Sequence, residues 1–207
     1  MSLHETISEL VLLLPGFLLA ITGHELAHGL VADRLGDPTA RRLGRLTANP
    51  LAHLDPWGTL IFFVAKIGWA KPVPVTPSHF ARPRRDLMLV SLAGPAANLI
   101  LAVASAGALK LLILAGPLLP AFFLRPLLGM CLASVWINLL LAVFNCLPVP
   151  PLDGSKVLAG LLPPALAQAY SGLERFGFLI LLILVATGTL SRIISPVIHL
   201  AQQLLLG

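Results

Sequence analysis

Five apolar stretches, at residues 7–33, 57–70, 86–115, 122–147 and 173–190, set the limits on how this chain folds. An α-helix needs about 20 apolar residues to cross the hydrocarbon of a bilayer, and four of the five reach or approach that length. The second stretch, residues 57–70, is too short to cross comfortably and contains Lys66. A weaker, amphipathic stretch follows at residues 191–206. Only 11% of the 207 residues are charged, too few to coat a water-facing surface, where about a quarter is usual. The expectation is an all-α polytopic membrane protein with about four to six transmembrane helices, forming a single membrane-embedded domain over residues 1–207. Glu5 and Glu9, with no Lys or Arg before the first stretch, give no basic region of a secretory signal, so this stretch reads as a helix of the mature chain.

The basic residues then suggest a topology. If residues 57–70 form a re-entrant or shallow element, everything from about residue 34 to 86 stays on one side of the membrane. Nine Lys and Arg residues between Arg34 and Arg85, with Lys156 and Arg175, then share one face, eleven of the fourteen in the chain. A crossing at 57–70 would move Arg82, Arg84 and Arg85 to the other side and destroy that bias. The reading is therefore four spans and a re-entrant element, with the basic face cytoplasmic and the N-terminus outside. The net charge of +5 belongs to this pattern and to anionic headgroups, and no nucleic-acid partner is expected.

Chemistry is concentrated in Thr22-Gly23-His24-Glu25-Leu26-Ala27-His28-Gly29. Residues four apart on an α-helix differ by about 40° in direction, so His24 and His28 present both imidazoles to one metal ion. Glu25 lies about 100° further round, within reach of a water at the metal without being a ligand. Zinc held there would acidify that water, and the Glu25 carboxylate would take its proton and later return it to the leaving amine. Chance gives an HExxH in a chain of this composition roughly a few times in a thousand. Three ionisable groups inside a membrane segment cost several kcal/mol unless they face a cavity and find partners.

Hydrolytic zinc sites usually take a third protein ligand. Asp33 and Asp37 sit beyond the first helix, where charges normally solvate, and Asp86 suits the N-terminus of the third segment. Asp153, in Asn145-Cys146-Leu147-Pro148-Val149-Pro150-Pro151-Leu152-Asp153-Gly154, is a candidate ligand held by a proline-rigid approach. Its spacing alone is equally compatible with a cap on the short helix that Ser155 and Lys156 begin.

HELAH together with NCLPVPPLDG resembles the site-2 protease family, the M50 peptidases that cut substrates within the membrane. Asn145, Pro148, Pro151, Asp153 and Gly154 fall in register with that family's second motif. Asn49 through Gly58, Gly68 through Val75 and Ala93 through Asn98 also look like it, so the likeness covers residues 10–160, leaving 161–207 as C-terminal helices. The resemblance implies a Zn2+ enzyme of the cell membrane, with His24, His28 and Asp153 as ligands and Glu25 as general base. It implies that Asn145 steadies the oxyanion or the substrate backbone. Residues 49–75 would form a membrane re-entrant or β-hairpin element that holds an unwound transmembrane substrate by main-chain pairing. PDZ and CBS modules of larger members are not visible.

His53 is a further candidate substrate or metal contact, although a His in a Pro-flanked turn is more often structural. His4, His79 and His199 read as interfacial residues, Trp57, Trp69 and Trp136 as aromatic-belt anchors, and Cys131 and Cys146 as ordinary buried thiols. Gly94-Pro95 suggests a kink or small-residue helix packing. A zinc transporter would also explain buried His and Asp but assigns no role to Glu25, and a catalytically dead scaffold would not need HExxH intact.

Overall fold

A computed structural model describes residues 3–58 and 70–207, with side chains from Leu10 onward outside the gap. The chain opens with α1 (Leu3–Arg34) and a single-turn α2 (Thr39–Arg42). Short 3-10 turns at Pro50–Ala52 and Pro77–His79 lie on the way to α3 (Pro83–Ala115) and α4 (Ala121–Asn145). The C-terminal part comprises α5 (Asp153–Leu161), α6 (Pro164–Ser171), α7 (Gly177–Ala186) and α8 (Thr189–Leu206). No named strand occurs among the described residues.

Four apolar runs are long enough to cross a bilayer: Leu10–Arg34, Pro83–Leu118, Ala121–Asn145 and Pro164–Ala186. The fourth begins earlier than residues 173–190, because a 3-10 turn at Gly172–Phe176 carries Glu174 and Arg175 inside an otherwise continuous helical run. The stretch at 191–206 folds as α8, with Ile194 and Ile198 buried. Residues 57–70, expected to be re-entrant, fall almost entirely outside the described residues. The flanks do meet: Leu54 and Ala70 form an antiparallel bridge, and Lys71 N–H donates to His53 O at 2.9 Å.

The bundle is apolar outside and polar within, as a protein solvated by lipid must be. Leu114 and Phe122 are 77% and 81% exposed. Asn98, Asn138, Ser105 and Ser134 are buried between the helices, with the two serine hydroxyls 2.8 Å apart. α1, α3 and α4 pack on one another, and α5 closes against α3. A Cβ at Gly16 would stand 2.8 Å from Ser134 Cα, so α1 and α4 approach at backbone contact. Beside this polar seam Ala102, Ala106, Val135 and Leu139 form an apolar cluster on which Ala201, Leu205 and Leu206 of α8 rest.

Four local readings are corrected. Asp37 does not solvate. It is fully buried, accepting from Thr39 N–H at 3.1 Å, the Thr39 hydroxyl at 2.5 Å, Thr76 N–H at 2.6 Å and His79 Nδ1 at 2.7 Å. His79 is therefore a partner of that anchor and not a bystander. Burial alone would raise the Asp37 carboxyl, but these hydrogen bonds, led by the Thr39 hydroxyl, hold it down at about 2. Asp33 pairs with Arg41, and Cys146 is exposed where a buried thiol was expected.

Candidate metal centre

HELAH occupies the penultimate turns of α1, and its two histidines project toward α3 and the start of α5. The imidazole rings stand edge to face, 4.6 Å between centroids. Their Nε2 atoms are 3.0 Å apart, and Asp153 Oδ2 lies 3.1 Å from each. All three residues are buried. Asp153 reaches them because the loop after α4 delivers it as the first residue of α5, with Ser155 Oγ donating to Leu152 O at 2.6 Å. Its side chain faces the histidines and makes no capping bond to α5.

The far side of each ring is fixed by α3. His24 Nδ1–H donates to Asn98 Oδ1 at 2.6 Å, and His28 Nδ1–H donates to Val90 O at 2.7 Å. The orientation of the Asn98 amide follows from its other bonds: Nδ2 donates to Ala20 O at 3.0 Å and to Asn138 Oδ1 at 2.9 Å. Asn138 in turn donates to Ser134 O at 2.9 Å. With Nδ1 protonated on both rings, neutral imidazoles turn two bare Nε2 lone pairs toward a carboxylate oxygen. Three acceptors at this separation repel unless a cation sits among them.

Zinc fits that donor set. Tetrahedral coordination at about 2.0–2.1 Å spaces ligand atoms by roughly 3.3 Å, a few tenths beyond the observed 3.0–3.1 Å. Space is kept by Gly94, where a Cβ would stand 2.5 Å from His28 Nε2 and 2.7 Å from His24 Nε2. Gly94 thus makes room for the imidazole pair, which neither the kink nor the general packing reading anticipated.

The other expected site residues are placed differently. Glu25 is half-buried beside the cluster, and its Oε2 accepts Val73 N–H at 2.8 Å. Asn145 donates through Nδ2 to Leu141 O in its own helix at 3.0 Å, and it lines a crevice of about 220 Å³ with Ser91, Pro95 and Gly154. His53 is outside the cluster. It is fully buried, and Nε2–H donates to Thr47 O at 2.8 Å, which suits a turn-stabilising residue. Sequence reasoning missed Asn98, Asn138, Val73 and Gly94. For the two asparagines the available signal was an amide in the middle of an apolar span, which lipid does not tolerate without a partner.

A bundle of apolar helices closing over two histidines, a carboxylate and an adjacent glutamate defines the class: a membrane-embedded metalloprotease. The sequence profile described as Peptidase family M50 matches residues 124–184. The chain is 41% identical over 191 residues to the Bacillus subtilis protein named "Putative zinc metalloprotease YwhC", covering 91% of this chain and 86% of that one. It is 31% identical to proteins named "Putative zinc metalloprotease Rip2" from Mycolicibacterium smegmatis and Mycobacterium tuberculosis, in each case over 69% of the relative. No solved structure matches significantly. The chain belongs to peptidase family M50, the zinc metalloproteases.

Proposed function

We propose that this protein hydrolyses peptide bonds within or near transmembrane segments of other membrane proteins. His24, His28 and Asp153 hold the zinc ion, and Glu25 is the general base. The observation that carries the reading is the convergence of two Nε2 atoms and one carboxylate oxygen inside an apolar bundle, with a second carboxylate next in sequence. His28 precedes Arg34 by six residues, roughly 9 Å along the helix, so the site lies a short way inside the charged end of the bundle.

Zinc, when bound, supplies Lewis acidity, lowering the pKa of a water to about 7 and polarising the scissile carbonyl. Everything else falls to the chain. Glu25 takes the proton of the attacking water and returns it to the nitrogen of the leaving amine. Asn98 and Val90 keep both imidazoles turned inward with Nε2 free. Asn145 keeps a second amide N–H beyond the one given to Leu141, available to a substrate carbonyl at the crevice beside Gly154. A peptide bond in a membrane helix is already hydrogen-bonded, so the substrate must unwind before attack. Residues 49–75, within which Leu54 and Ala70 form an antiparallel bridge, are assigned to hold the unwound strand.

The test is Glu25→Gln, purified and reconstituted with a model transmembrane substrate. Zinc per protein should be unchanged and cleavage should fall by at least about 100-fold. Undiminished cleavage would remove Glu25 from the mechanism.

A further inference from the structure

We propose that the main-chain N–H of Val73 aims Glu25, making the extended segment 71–76 a strap that positions the base. The inference rests on the reading of Glu25 just given. Three features carry it. Val73 lies between Pro72 and Pro74, which have no N–H, so it is the one donor available in that tripeptide. That donor meets Glu25 Oε2 at 2.8 Å. The Val73 side chain is buried against the next turn of α1, where a Cβ at Gly29 would stand 3.0 Å from Val73 Cγ1. Side chain and N–H therefore both grip the α1 face that carries Glu25.

The strap is tied down on either side of this contact. At its start Lys71 N–H donates to His53 O at 2.9 Å, and Arg45 Nη2 donates to Lys71 O at 2.8 Å. At its end Thr76 N–H donates to the buried Asp37 carboxylate at 2.6 Å. A segment held at both ends presents Val73 N–H at a fixed point, and a carboxylate accepting from a fixed donor loses rotamer freedom. The other carboxylate oxygen stays available for the proton of the attacking water. The strap follows directly on Ala70, which pairs with Leu54, so this bridge lies next to the segment that aims the base.

Val73→Pro removes the N–H while suiting an extended backbone, and Val73→Ala keeps it with a smaller side chain. Displacing a catalytic group by about 1 Å costs on the order of 100-fold in rate. Val73→Pro should lower kcat by about that factor, with KM within about twofold of wild type and zinc content unchanged. Val73→Ala should lose no more than about threefold. In a Glu25→Gln background Val73→Pro should add no further loss, because both changes act through one group. A comparable added loss in that background, or full kcat in Val73→Pro, overturns the proposal. If Val73→Pro does not fold, the amide proton of Val73 in protein labelled with 15N-valine decides. It should move upfield in Glu25→Gln, and an unmoved resonance refutes the contact. Failure of Glu25→Gln to reduce cleavage would instead defeat the reading of Glu25 itself.

Discussion

Gly94→Ala tests the metal centre at its tightest point. The added Cβ would meet His28 Nε2 at 2.5 Å, His24 Cε1 at 2.6 Å and His24 Nε2 at 2.7 Å. Ordinary contact begins near 3.4 Å, so roughly 0.7–0.9 Å of room has to be found. Neither ring gives way freely, since both are held through Nδ1 by Asn98 and Val90. α3 cannot back off either, because Val90, Gly94 and Asn98 lie on one face of that helix, four residues apart. Retreat of α3 would stretch the two bonds that fix the imidazoles. Zinc sites tolerate deviations of about 0.2 Å in ligand distance, so the required displacement exceeds the tolerance several-fold. The variant should retain zinc at least about tenfold less well than wild type and lose cleavage in parallel. Overpacking should destabilise the bundle by about 1–3 kcal/mol, so helicity by circular dichroism should be maintained in mild detergent. Zinc retention is measured by mass spectrometry after dialysis against graded chelator. A folded Gly94→Ala protein with wild-type zinc affinity would mean that the ion does not sit between these nitrogens.

Two further substitutions probe the supports of the site. Asn98→Leu leaves His24 Nδ1–H without an acceptor and should weaken zinc binding by about 10–100-fold, whereas Asn98→Asp keeps the acceptor and should recover much of it; equal losses in chelator titrations would argue against a role in orienting His24. Asp37→Ala orphans Thr76 N–H and Thr39 N–H at a partly buried site and should cost about 1–3 kcal/mol, read as a lowered melting temperature. Because the Asp37 carboxyl is depressed from 3.8 to about 2, its stabilisation is fully present above about pH 4 and is lost as pH falls through 2. The wild-type melting temperature should drop over that window more steeply than that of Asp37→Ala, and parallel acid profiles would refute the anchor.

The convergence of His24, His28 and Asp153 was legible because HELAH and NCLPVPPLDG state residue type and spacing. Their supports were not. Which acceptor meets His24 Nδ1 depends on how α3 is rotated against α1, and no local pattern records that rotation. Asn98 and Asn145 look alike in sequence, yet the first holds a histidine and the second bonds back to Leu141. Asp37 read as solvated because its partners Thr76 and His79 lie about forty residues away. Hydropathy likewise placed the fourth span late, since Glu174 and Arg175 interrupt the apolar run although the helix axis continues through a 3-10 turn.

The pairing of the two central helices bears on topology. His24 meets Asn98 and His28 meets Val90, so position advances along α1 as it recedes along α3, and the helices are antiparallel. Ala32 packs with Phe80 and Val90, which brings the end of α1 and the beginning of α3 to the same end of the bundle. The connection from residue 35 to 82 therefore starts and finishes on one side, the condition on which the charge argument depended. α5 belongs to that end too, because Arg84 Nη2 donates to Ala159 O at 3.2 Å. Arg34, Arg41, Arg42, Arg45, Lys71 and Arg82 thus cluster at the end nearer the histidines. By the positive-inside rule such a cluster marks the cytoplasmic end of a membrane bundle, and on the proposed function a substrate helix would be opened toward that boundary, where fewer of its own hydrogen bonds need to break.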